Sequence, residues 1–262
     1  MRFLLLVIIL NSFLFNYGQD IKICNKQLNL AFDKIQYYAN NRDKTEFTDN
    51  YIENNNKKFG QLLLKYTASQ PKTLFFAFND LEKKQLQIST SKDGLFRIYS
   101  WNTELGGTMK IFKNVFQFKG IKKVYSQTLI SDTAEDGNSD YRYEIIDQVI
   151  SRKKTYYLVQ CLFIGSTALS YHKIKIFNVT NNVLNENPKL IKTKTGMKNE
   201  VGYEIDLSSS VNANSEPVDM EFLQIQYDLK NKIITFPLIS DDGKLTKSKI
   251  KYRFNGKYFE KL

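Results

Sequence analysis

From Thr73 onward the apolar side chains recur at every second position, and a period of two is the period of a strand. Successive strand residues face opposite sides, so such alternation decides which set is buried and which meets water. The turns between the alternating runs carry their own signals. Leu86–Thr90 and Leu95–Trp101 flank Ser91-Lys92-Asp93-Gly94, where Asp-Gly supplies the positive φ of a tight hairpin. Met109–Phe118 follows Gly106-Gly107, and Val124–Ile130 follows Gly120. Tyr141–Ile150 and Thr155–Ile164 are joined by the charged turn Ser151-Arg152-Lys153-Lys154. Ser170–Val179 ends at Asn181-Asn182, a weaker run follows over Val183–Thr193, and Glu200–Leu207 is the next strand.

At the C-terminus, Glu221–Asp228 and Lys232–Phe236 pair across Leu229-Lys230-Asn231. Asp241-Asp242-Gly243 leads into Lys247–Phe254, and Asn255-Gly256 into Lys257–Lys261. Asn-Gly between alternating apolar residues is a strong hairpin signal. Short loops between consecutive strands favour an antiparallel meander, and no helix-length segment interrupts them, which argues against parallel βαβ units. The expected fold is therefore mainly β over residues 71–262, an antiparallel meander arranged as a sandwich or an open barrel. A β-propeller is the lesser alternative, since its blade pattern does not recur at a fixed period.

The first seventy residues read differently. Residues 19–70 form a helical segment: Ile21, Cys24, Leu28, Ala31, Ile35 and Tyr38 follow a 3.6-residue period. A second helix carries Ile52, Phe59, Leu62, Leu63 and Tyr66 on its apolar side and stops before Pro71. Ahead of them, Arg2 precedes the apolar run Phe3–Leu10 and Phe13–Phe15, with the small residue Gly18 after it. That pattern is a secretory signal peptide over residues 1–18, shorter than the roughly 20 apolar residues of a spanning helix. The expected location is secreted or periplasmic, with no transmembrane segment after cleavage.

Export makes a disulfide between Cys24 and Cys161 chemically permitted. Burial of each thiol as a small apolar residue is the other reading, and Cys161 shares a strand face with Tyr157, Val159 and Phe163. The net charge of +11 falls to +10 once Arg2 is removed with the leader. Such a balance suits anionic partners, here an anionic polysaccharide or an envelope surface rather than a specific nucleic acid. It is equally the charge of a lysine-rich solvated surface.

Within Ser91–Gln117, the run Phe96-Arg97-Ile98-Tyr99-Ser100-Trp101-Asn102 and the run Gly106-Gly107-Thr108-Met109 resemble uncharacterised exported proteins of Bacteroidetes-type bacteria. The resemblance covers some thirty residues closely. It implies export and β structure and brings no activity with it.

Catalytic signatures are thin. His172 is the only histidine, which leaves a Ser-His-Asp triad dependent on this one residue and excludes most histidine-rich zinc sites. Gly165-Ser166-Thr167 lacks the second glycine of a nucleophile elbow, and Gly106-Gly107-Thr108 lacks the lysine of a phosphate loop. In the acidic loop 132–140, Asp132 and Asp136 fall at ligand positions one and five of a calcium loop, while Ala134 and Tyr143 break the pattern. Glu104, Asp132, Glu144 and Asp147 are candidate carboxylates for a glycan hydrolase. The sequence points away from an enzyme and calls for no cofactor.

One surface pattern stands out. Lys247, Lys249, Lys251 and Arg253 alternate with Ser248, Ile250, Tyr252 and Phe254, so a strand sets the four cations on one face. That row is an anion-binding candidate, or else a solvated face whose lysines protect an edge from aggregation. The expected function is an exported, non-catalytic binding or envelope-associated module for anionic partners. A carboxylate hydrolase and a calcium-stabilised structural domain are the alternatives.

Overall fold

The computed structural model describes residues 2–44, 48–129, 141–212 and 221–262, with side chains from residue 21 onward apart from those of residues 44 and 48. Helix α1 (Arg2–Asn40) and helix α2 (Thr48–Ser69) form an antiparallel pair. Phe32 meets Phe59 at 4.9 Å, and Tyr38 near the end of α1 stacks on Tyr51 near the start of α2. α2 buries Ile52, Phe59 and Leu63. Pro71 then opens a short 3₁₀ turn, as its fixed φ and missing N–H allow at a first helical position. A five-residue helix, α3 (Asn79–Lys83), precedes the strands and is absent from the sequence expectation.

The first four strands are β1 (Gln87–Thr90), β2 (Phe96–Asn102), β3 (Phe112–Lys119) and β4 (Val124–Gln127). Next come β5 (Arg142–Ser151), β6 (Lys154–Ile164), β7 (Leu169–Thr180) and the short β8 (Val183–Asn185), β9 (Ile191–Thr193) and β10 (Gly196–Lys198). The remainder are β11 (Glu200–Asp206), β12 (Gln226–Asp228), β13 (Ile233–Ile239), β14 (Leu245–Phe254) and β15 (Phe259–Lys261). They form three sheets. The first is the meander β1-β2-β3-β4, the second β11-β7-β6-β5 with β8 added to β7, and the third β10-β9-β15-β14-β13-β12.

Alternation makes each strand serve two cores, and this builds the stack. On β2, Tyr99 and Trp101 face the helices together with Val115 of β3, packing against Leu28, Phe59 and Leu63. Phe96 and Ile98 face the other way and meet Tyr157, Val159, Cys161 and Phe177 of the second sheet. On that sheet, Leu158, Ile174 and Ile176 turn outward again and pack on Ile234, Phe236, Tyr252 and Phe254 of the third. The molecule is thus four layers deep: helices, then three stacked sheets. Its strands are mainly antiparallel and close no barrel.

Mainly β structure in antiparallel, sandwich-like sheets is as expected, and four details differ. The meander is not purely antiparallel: β9 pairs parallel with β15, because the β9–β10 hairpin returns to the far edge of the C-terminal sheet. The region read as one strand over Val183–Thr193 is two short strands serving different sheets, broken by the polar stretch Glu186-Asn187-Pro188, whose proline lacks a ladder donor. The sheets share cores face to face rather than around an axis, so the propeller alternative falls. No disulfide joins Cys24 and Cys161 either; Cys24 lies on α1, while Cys161 is 2% exposed between the first two sheets. Burial lifts the Cys161 thiol to about 12, leaving it protonated and inert at neutral pH.

Candidate functional site

β14 is the centre of the outermost sheet. Ile250, Tyr252 and Phe254 turn toward the core, while Lys249, Lys251 and Arg253 alternate with them on the exposed side; Lys247 is exposed as well but lies in the stretch Leu245–Lys249, where the register with β13 shifts. Same-face residues on a strand are spaced about 6.8 Å apart, so Lys249, Lys251 and Arg253 span roughly 14 Å. Antiparallel pairing with β13 sets Arg253 against Ile233 and Lys251 against Thr235, which keeps the neighbouring positions uncharged. On the other side, β15 sets Glu260 against Arg253 and β9 sets Lys192 against Glu260. The Glu260 carboxylate also accepts from Asn255 Nδ2 at 3.0 Å. The Lys249 ammonium sits 4.7 Å above the Phe222 ring, which orients its stem across the sheet edge. The structure therefore aligns Lys249, Lys251 and Arg253 on one outward face and leaves Lys247 exposed just beyond the regular pairing.

The other sequence candidates do not converge. Asp132 and Asp136 lie outside the described residues. Among the described residues no group of three or more His, Cys, Asp or Glu side chains gathers to hold a metal. Glu144 is paired with Arg142 at 2.5 Å. Asp147 lies on the face of β5 turned toward the third sheet, where burial raises its pKa. Glu104 lies after β2, its side chain accepting from Asn102 Nδ2 at 2.9 Å. The cavities beside α1, α2 and the first sheet carry at most one carboxylate each, Asp80 in one and Glu82 in another. His172 stacks on Tyr203 with centroids 5.2 Å apart and contacts Ser170 Oγ through Nε2 at 3.0 Å. Burial lowers its pKa to about 4, so it is a neutral packing residue at physiological pH.

Two charged sites escape a reading by period. Lys173 and Lys175, 7% exposed each, lie on the face of β7 that turns toward the first sheet. Lys173 pairs with Glu200 at 3.3 Å and sits 3.8 Å over the Tyr141 ring, and Lys175 pairs with Glu186 at 3.7 Å. Arg97, also buried, donates through Nη1 to the carbonyls of Thr73 at 2.5 Å and Phe76 at 2.8 Å. It pins the turn after α2 to β2. The signal for each was a charged residue inside an apolar run, which does not reveal its partner when the partner lies far along the chain.

Among the described residues no helix is long and apolar enough to cross a membrane. In comparisons with protein-family models, curated proteins and solved structures, nothing matches this chain, and its functional reading rests on its own residues.

Proposed function

We propose that this chain is an exported, non-catalytic binding module whose outer β face engages an anionic polymer of the cell envelope, an acidic polysaccharide in the first instance. The observation that carries the reading is the row Lys247, Lys249, Lys251 and Arg253, exposed together on the central strand of the outermost sheet. The regularly paired part of β14 holds Lys249, Lys251 and Arg253 at a fixed repeat with Lys247 exposed beside them, and a polymer with regularly spaced negative charges meets several of them at once. Pairing on both sides fixes the backbone, so binding has only the side-chain rotamers of the cations to order. The scattered carboxylates support a binding role over a hydrolytic one, and the leader supports export.

Binding to immobilised dextran sulfate, with neutral dextran as control, tests the reading over a salt series. Retention by dextran sulfate alone is expected, with affinity falling steeply as salt rises. Replacing all four cations by serine is expected to weaken binding at least tenfold and to lower the log–log salt slope by about one per cation removed. Affinity indifferent to salt, or equal in the variant, rejects this face as the site.

A further inference from the structure

Helix α1 carries apolar residues on two sides. Leu28, Phe32 and Ile35 face inward and pack with Phe59 and Leu63 of α2. The same helix leaves Ile23, Leu30 and Tyr37 at 50%, 55% and 63% exposure. These three recur at intervals of seven, and seven residues bring an α-helix back to within about 20° of the same direction. They form an outward stripe about 21 Å long at 1.5 Å per residue. Tyr38 touches both Tyr37 and Tyr51, so the 46% exposed Tyr51 extends the stripe onto α2.

The charges around this stripe are of one sign. Lys26 and Lys34, four residues either side of Leu30, stand about 40° from it around the helix. A groove of about 550 Å³ between the two helices is lined by Leu30, Leu62, Lys34, Lys58 and Lys65, and no carboxylate borders it. From residue 21 onward the two helices carry six lysines and three acids. Each acid is already engaged: Asp33 with Lys84 at 2.5 Å, Glu53 with Lys57 at 2.8 Å and Asp49 with Arg42 at 3.2 Å. Lys22, Lys26, Lys34, Lys58 and Lys65 are therefore left exposed with no acid of either helix to neutralise them.

We infer that this face docks on an anionic lipid bilayer, with both helices lying in its plane. Ile23, Leu30 and Tyr37 enter the boundary between headgroups and acyl chains, and the lysines meet the headgroup phosphates. A soluble polyanion satisfies the lysines but offers nothing to the apolar stripe. A second copy of the chain offers an apolar stripe but sets five lysines against five. A lipid surface answers both, and tyrosines suit its depth because one end of the ring is apolar and the other polar. The face belongs to the outer layer opposite β14 and does not depend on the cationic row there.

The exported chain, from Gln19 on, is sedimented with phosphatidylglycerol vesicles and with phosphatidylcholine vesicles. The four cations of β14 are replaced by serine in this background, so that retention does not come through the sheet. Binding to phosphatidylglycerol at least tenfold tighter than to phosphatidylcholine is expected. Adding Ile23→Ser, Leu30→Ser and Tyr37→Ser removes no charge and is expected to weaken binding at least tenfold. Adding Lys34→Gln, Lys58→Gln and Lys65→Gln instead is expected to weaken it as much. All six positions are exposed, and an unchanged melting curve verifies the fold. With β14 intact, the serine triple is expected to keep its retention by dextran sulfate, which separates this face from that one. No sedimentation with phosphatidylglycerol, equal binding to phosphatidylcholine, or a serine triple that binds as tightly as its parent overturns the inference. So does a dimer that the serine triple converts to monomer, since a second copy then covers the stripe.

Discussion

The imidazole of His172 lies flat against the Tyr203 ring, with the planes 5° apart, in the core between the second and third sheets. Burial holds its pKa near 4, against about 6.5 in an unfolded chain. Between those values the unfolded chain takes up a proton that the folded chain refuses. Stability contributed by the neutral ring is therefore present above pH 6.5 and is lost as pH falls toward 4. Its size is on the order of 2 kcal/mol, reduced from the full linkage value because part of the ring still reaches water. His172→Phe keeps the ring stack and removes the proton. Urea unfolding at pH 5.0 and 7.5 is expected to show the wild type losing about 1–2 kcal/mol more than the variant on acidification. Equal losses would mean that the imidazole titrates normally. This was legible in part: a lone histidine on a strand with Ile174 and Ile176 reads as structural, and the structure gives it a packing partner. The neighbouring Lys173 and Lys175 were not legible as buried, because Glu200 and Glu186 reach them only through the return of β11 and the bend after β8.

At the scale of elements, turn chemistry set most boundaries, and where it is poor the backbone is strained. Gly94 and Gly256 take φ of +68° and +95° at the Asp-Gly and Asn-Gly turns, as the dipeptides require. The β5–β6 hairpin places Arg152 and Lys153 at φ of 48° and 63°, both in the left-handed region that β-carbon sterics disfavour. The ladder on either side, from Ile150–Thr155 to Val149–Tyr156, holds them there. Replacing Arg152-Lys153 by Asn-Gly is expected to stabilise the protein by about 1 kcal/mol, read as a raised urea midpoint with an unchanged slope. A lowered midpoint would show that the two long side chains contribute contacts outweighing the strain. Strands with an Asp-Gly or Asn-Gly turn, or with clean alternation, were legible to within a few residues. β12 pairs with β13 across the expected turn but is only three residues long, and the β9–β10 hairpin was not legible, since three-residue strands carry no periodicity and β9 finds its place only on the distant edge of β15. The placement of Lys249, Lys251 and Arg253 on β14 followed directly from alternation, whereas the irregular pairing around Lys247 left no sign in the sequence.

In the whole molecule, the second sheet is the element on which the layers depend. Its β6 and β7 send Val159, Cys161 and Phe177 one way and Leu158, Ile174 and Ile176 the other, so neither flanking layer has a complete core without it. The first and second sheets are also joined by polar contacts. Ser100 Oγ accepts from the Tyr143 backbone N–H at 3.1 Å, Asn114 Nδ2 donates to the Tyr141 carbonyl at 3.1 Å, and Ser89 Oγ donates to the Glu144 carbonyl. These bonds tie the first sheet, and the helices packed on it, to the second sheet, which packs its other face on the third. The expectation is one cooperative unfolding unit rather than separable halves, which a chain of this length does not guarantee. Phe236 lies in the third sheet, stacked on Tyr203 and Tyr252, in a different core from Trp101. Phe236→Ala is expected to destabilise by about 3 kcal/mol through the cavity it leaves. If the stack unfolds as one, the Trp101 emission transition moves to lower urea together with the far-ultraviolet circular dichroism transition, by the same amount. A Trp101 transition that stays in place while the circular dichroism curve splits would make the helical half and its sheet an independent folding unit, and the second sheet merely a neighbour to it.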